Sequence, residues 1–292
     1  MCTIGGVSAR FSSYKVGRRL WQFLAVCAAV IAVFIAMFPL YWAVAISLKP
    51  RDVPMTGFLL PGLTFAPSLN AWRGLFEIPD LGSSLWNSVF ISVGGATLAV
   101  ALAAPAAYAL ARRPFPYRWA AGMLLGFLLL RLVPPVVYLP AYLLLMRQLG
   151  LIDTILALVL VNATINLPLA AIILTGAFRE IPREIEEASW VDGVGRWGSF
   201  ARICVPLAAP ALAASWLLCL AFIWNEWMYA SAIGYVEAKS FPVLIQATGG
   251  GGGVNFGAAT TRALAATAAP VVAALLAQRY MVRALSLGAV KG

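Results

Sequence analysis

Three features of this sequence predict an all-α, polytopic membrane protein: long apolar runs, scarce charge, and basic residues gathered between the runs. Of its 292 residues, 62% are hydrophobic and only 11% charged, whereas a soluble domain carries roughly 25% charged residues. A helix crosses the ~30 Å hydrocarbon layer in about 20 apolar residues. Runs of that kind recur at 21–47, 84–111, 119–145, 153–177, 207–234 and 258–282, so six spans are expected.

The first run follows Arg18 and Arg19 and ends in Ala43-Val44-Ala45, the pattern of a signal-peptidase site. Its length is about twice that of a signal h-region, so it is read as an uncleaved spanning helix. The outer loop that follows contains "PSLNAWRGLF", suited to a short amphipathic helix on the membrane surface. Pro105, Pro134, Pro135, Pro140, Pro168, Pro210 and Pro270 lie within or at the edges of spans. Each removes a backbone donor that neighbouring helices or a water-lined cavity must replace. The "GGGGG" at 249–253 lacks the lysine of a phosphate loop and reads as a flexible hairpin.

Orientation follows from charge. Lys and Arg number 21 against 11 Asp and Glu, a net +10. Nucleic acid is not an expected partner, because the basic residues fall in short clusters rather than on one face. With the N-terminus inside, fourteen basic residues lie on inner segments, six on outer ones, and Arg131 within a span. This bias places both termini in the cytoplasm.

Composition also excludes chemistry. Histidine is absent, and Cys2, Cys27, Cys204 and Cys219 have no C-x-x-C spacing. A zinc site, a Cys/His nucleophile and a histidine proton relay therefore lack their parts, and no enzyme is expected. Polar groups in lipid are costly unless they face a cavity or a partner, which makes Arg131, Asn162, Asn166, Asn225 and Glu226 candidate pathway residues. Packing between helices is the competing reading for the asparagines, and an ion pair with a companion subunit is one for Arg131. Tyr138, Tyr142, Trp224 and Tyr229 suit either ring stacking against a solute or membrane anchoring. A self-contained, gradient-driven transporter is the alternative function, but such proteins need buried carboxylates for ions. Here one acid, Glu226, lies near a membrane edge.

The inner loop at about 178–206 interrupts this apolar pattern. Gly193, Gly195 and Gly198 match G-x-G-x-x-G, yet no strand precedes them and no acid follows at about 20 residues, so a dinucleotide site is excluded. The pattern instead predicts a helix over 182–192, a turn at Gly193, and a second helix, "GRWGSFARICV", stopped by Pro206. Glu184, Glu187, Ala188 and Val191 share one face of the first helix. That face suits a groove on a soluble partner, or, alternatively, a loop lying on lipid.

The loop resembles the signature of the permease subunits of binding-protein-dependent ABC importers, E-A-A, three residues, G, nine residues, I, one residue, L-P. Here it reads Glu187-Ala188-Ser189, Gly193, Ile203, Val205-Pro206, with Asp192 before the glycine. Ser189 and Val205 are the departures. "FPLYWAVAISLKP", "PPVVYLPAYLLLMRQLGLIDT", "WNEW" and the ending "QRYMVRALSLGAVKG" are similar to the maltose-type carbohydrate branch. The resemblance implies the type I importer permease fold, with a segment 1–20, a permease domain 21–282 and a tail 283–292. It implies that Glu187, Ala188, Ser189, Asp192 and Gly193 contact an ATPase, and that Gly288, Ala289, Val290, Lys291 and Gly292 face it. The implied partners are a second permease, a homodimeric ATPase that holds ATP and Mg²⁺, an extracytoplasmic solute-binding protein, a sugar or polyol, and the lipid bilayer of a bacterial-type inner membrane. No cofactor is expected on this chain itself.

Overall fold

The computed structural model describes residues 7–51, 60–112, 117–247 and 255–289, with side chains described over 21–51, 60–112, 119–247 and 255–275. Every regular element among these residues is helical. The glycine run at 249–253, with Arg113, Val290, Lys291 and Gly292, lies outside them.

The chain forms two compact units. The first contains α1 (Val7–Ser47), α2 (Asn70–Phe76) and the beginning of the last helix. From Trp21 to Leu40 most of the α1 side chains are exposed, as for Phe34 and Ile35, which is the character of a helix whose solvent is lipid. At its end Ala45 and Ile46 bury with Phe65. The Trp72 indole N–H of α2 donates to Ser47 Oγ at 3.3 Å, so the expected short helix forms and is tied to the end of α1.

The second unit carries α3 (Leu81–Arg112), α4 (Tyr117–Leu132), α5 (Pro135–Gln148) and α6 (Ile155–Glu180). Then come the loop helices α7 (Arg183–Val191), α8 (Arg196–Ser199) and α9 (Val205–Leu207), and the apolar α10 (Ala209–Trp224). Short α11 (Met228–Ile233) and α12 (Phe241–Ala247) precede α13 (Phe256–Ala289). Its centre is the packing of α3 on α6, with α10 across both. Lipid offers no hydrophobic drive between helices, so association depends on close backbone approach through small residues. Ala96, Ala99, Ala103 and Ala107 of α3 and Ala157, Ala163, Ala170 and Ala171 of α6 are fully buried there. At Gly95 an added Cβ would lie 2.9 Å from Ile223 Cδ1.

Four helical stretches are long and apolar enough to cross a membrane: Trp21–Ser47, Leu81–Arg112, Ile155–Glu180 and Phe256–Leu275. Two bent pairs complete six when each pair counts as one crossing. The fold thus carries four to six candidate spans, up to the expected number, with three corrections to their form. The run 119–145 is not one helix, because α4 and α5 meet at 92° around Pro134 and Pro135, where the prolines force extended backbone and remove donors. The run 207–234 is divided at Asn225, Glu226 and Trp227 between α10 and α11. Pro206 does not stop its helix, which runs to Leu207 before a 75° bend into α10. A π-turn at Phe200–Cys204 precedes it, with Val205 N–H bonding Phe200 O. Likewise the backbone of the expected tail continues α13 as helix through Gly288 and Ala289.

Candidate functional site

Helix α7 is short, and its most polar residues divide between two sides. Successive helical residues are rotated by about 100°, so the adjacent acids Glu186 and Glu187 separate. Glu187 is exposed, together with Glu184, Ala188 and Val191, whereas Glu186 is 2% exposed. The Glu186 carboxylate meets Arg112 Nε at 2.5 Å and accepts from the Tyr108 hydroxyl at 2.8 Å. Arg112 also donates to Ile181 O at 2.7 Å. Two residues of α3 thereby clasp both the entry to the loop and its first helix.

The turn is equally determined. Gly193 has φ +79°, the left-handed region that L side chains occupy at a cost. Ser189, expected on the docking face through the resemblance, is instead 5% exposed. Its hydroxyl donates to Glu186 O at 2.7 Å and lies 3.0 Å from Ser199 Oγ, joining the two arms internally. Asp192 and Gly193 are exposed at the tip. Behind them the Tyr108 ring contacts Phe200 and Phe178, with centroids 4.9 and 5.7 Å apart. The reading of the sequence passed over Tyr108, Arg112 and Glu186 as a group. Only an unusual doubling of acids at 186–187 marked the position.

A second site lies in the spanning region. A cavity of about 540 Å³ is bordered by α4, α5, α6, α10 and α11. It gathers all five candidate pathway residues, Arg131, Asn162, Asn166, Asn225 and Glu226, with Tyr138 and Tyr142. Each asparagine also bonds its own helix: Asn162 donates to Leu158 O, Asn166 to Asn162 O and Asn225 to Ala221 O, each at 2.9 Å. Glu226 is committed to the start of α11, where its oxygens accept from Tyr229 and Ala230 N–H at 2.8 and 3.0 Å. Tyr229 lines the cavity, but its hydroxyl is held by Pro135 O at 2.7 Å. Trp224 turns away and donates to Ala266 O at 2.8 Å.

Just before α6, Asp153 anchors the loop after α11. Its carboxylate accepts from the N–H groups of Val236, Glu237 and Ala238 at 3.0 to 3.2 Å. Burial pushes its pKa up, but the backbone donors outweigh that and hold it below the ordinary value.

Helices long and apolar enough for up to six crossings, a cavity among those of the second unit, and a polar helix–turn–helix on one loop are the parts of a multi-pass membrane transport subunit. The chain belongs to the family described as binding-protein-dependent transport system inner membrane component, whose model matches residues 99–286. It is 34% identical over 261 residues to the trehalose transport system permease protein SugB of Mycobacterium tuberculosis, covering 88% of this chain and 93% of that protein. It is 30% identical to the trehalose/maltose transport system permease protein MalG of Thermococcus litoralis, covering 94% and 98%. In fold it is similar to a chain of a bacterial ABC transporter involved in the import of the acidic polysaccharide alginate, with TM-score 0.72, 21% identity and coverage of 90% and 97%.

Proposed function

We propose that this subunit forms half of the pathway of an ATP-driven importer for a saccharide or related polyol, and that the 182–206 loop receives the ATPase. The observation that carries the coupling role is the two-sided α7. Glu184, Glu187, Ala188 and Val191 face outward, while Glu186 and Ser189 fasten the opposite side to α3 and α8. A push on the exposed face therefore moves the end of a spanning helix rather than a loose loop. Glu187 can pair with a basic groove, Ala188 permits close approach, and Asp192 and Gly193 form the tip.

The saccharide class rests on the relatives, whose names cite trehalose, maltose and melibiose. The remaining partners follow from family membership: a second permease, a homodimeric ATPase that binds ATP and Mg²⁺, and an extracytoplasmic binding protein. The basic inner segments support cytoplasmic termini, with Gly288, Ala289, Val290, Lys291 and Gly292 towards the ATPase. Reconstitution tests the whole reading. Uptake should require ATP, the binding protein and the companion subunits. Gradient-driven uptake by this chain alone would refute it.

A further inference from the structure

Arg131 stands out among the cavity residues. It is the one cation there, and no described acid forms an ion pair with it, since the described ion pair is Arg112 with Glu186. The cavity's acid, Glu226, has both oxygens on backbone N–H groups of α11. The Arg131 guanidinium carbon lies 4.8 Å from the centroid of the Phe222 ring. Stacking of this kind orients the planar fork, so little freedom remains to be lost when its N–H groups bind. A cation at membrane depth must be solvated by oxygen, from water or from whatever displaces the water.

We propose that Arg131 makes direct contact with the solute, donating its fork to two adjacent oxygens of a saccharide as it occupies this cavity. The shared chemistry is an oxygen pair at fork spacing, supplied by a carboxylate or by vicinal hydroxyls. Tyr138 and Tyr142 border the same space, and the Tyr142 hydroxyl is held near Thr164 Oγ1 at 2.9 Å, so aromatic surface lines the cavity that holds the fork. The volume is that of a small-molecule site, in the range of about 300–1,000 Å³. This inference rests on the saccharide-importer reading and assigns solute contact to this subunit and to one side chain.

The test uses the complete importer in proteoliposomes, with its binding protein loaded from trehalose, maltose, raffinose or an alginate oligosaccharide. The readout is saccharide delivered per ATP hydrolysed, which a lesion that only lowers the amount of folded complex leaves unchanged. Arg131→Gln should lower that ratio about tenfold, the equivalent of one charged hydrogen bond, while hydrolysis stimulated by the binding protein stays within about twofold of wild type. Arg131→Lys, which keeps the charge and loses the fork, should fall between them. Loss confined to the alginate arm identifies the pair as a carboxylate, and loss in the neutral arms identifies vicinal hydroxyls. An unchanged ratio, whatever the absolute rates, overturns the proposal. So does loss of the companion permease from purified Arg131→Gln complexes with recovery in Arg131→Lys, which would assign the charge to the subunit interface. If wild type hydrolyses ATP on addition of the binding protein but delivers no saccharide or polyol that the binding protein holds, the saccharide reading fails instead.

Discussion

Arg112 Nε and a Glu186 carboxylate oxygen are 2.5 Å apart, with the two side chains 10% and 3% exposed. The pair joins the last residue of α3 to the middle of α7. Removing one member of a buried pair leaves the other uncompensated and costs about 3–5 kcal/mol, whereas replacing both by apolar groups is often neutral. Glu186→Ala should therefore lower thermal stability in detergent far more than the double variant Arg112→Leu/Glu186→Leu. The double variant should regain stability but not saccharide uptake, because the charged clasp between loop and spanning helix is gone. Equal unfolding temperatures for the single and double variants would contradict this account.

Tyr108 supplies the other oxygen of Glu186 with a donor. Tyr108→Phe keeps the ring contacts with Phe178 and Phe200 and removes only the hydroxyl. A hydrogen bond to a charged group contributes about 1.5–3 kcal/mol. Denaturant titration of the purified subunit should show a loss of that size, smaller than the loss for Glu186→Ala.

Gly193 tests the turn. An added Cβ would meet no atom within 4 Å, so the constraint on this residue within the subunit is its φ of +79°. Asparagine tolerates this region and β-branched residues do not. Gly193→Asn should keep most uptake, and Gly193→Val should lose it at a normal membrane level. Full uptake by the valine variant would remove the loop from the coupling role.

Asp153 makes the loop after α11 sensitive to acid. Its pKa lies below the ordinary 3.8 in the folded protein. The stability it contributes is therefore complete above about pH 4 and is lost as pH falls through the depressed value. Between pH 5 and pH 3 the unfolding temperature of wild type should drop more steeply than that of Asp153→Asn. Parallel curves would show that the backbone donors of 236–238 do not depend on the charge.

Gly95 tests the bundle centre. Its missing Cβ leaves room for Ile223, 2.9 Å from where that atom would lie. Gly95→Val overpacks this contact at a cost of about 1–3 kcal/mol. Adding Ile223→Ala should recover part of that loss in the same thermal assay.

Much of the fold was legible because its strongest constraint is local. A run of about 20 apolar residues must satisfy its own backbone groups in lipid, so span number follows from hydropathy alone. The polar loop at 178–206 was legible for the same reason, as was the turn at Gly193. The breaks were less so. Pro105, Pro168 and Pro270 lie inside helices, while Pro134 and Pro135 divide two, and proline alone does not say which outcome packing will permit. The burial of Ser189 was not legible, because a signature names positions without saying which way they face.

The sequence by itself determined the membrane class, the crossings, the basic bias and the identity of the polar loop, since run length, charge and spacing are read along the chain. Only the tertiary structure decided that Glu186 turns inward while its neighbour Glu187 stays exposed. The deciding partners, Arg112 and Tyr108, lie on another helix, with Tyr108 78 positions away. Burial of a charge is settled by what meets it across the bundle, and no local pattern records that meeting.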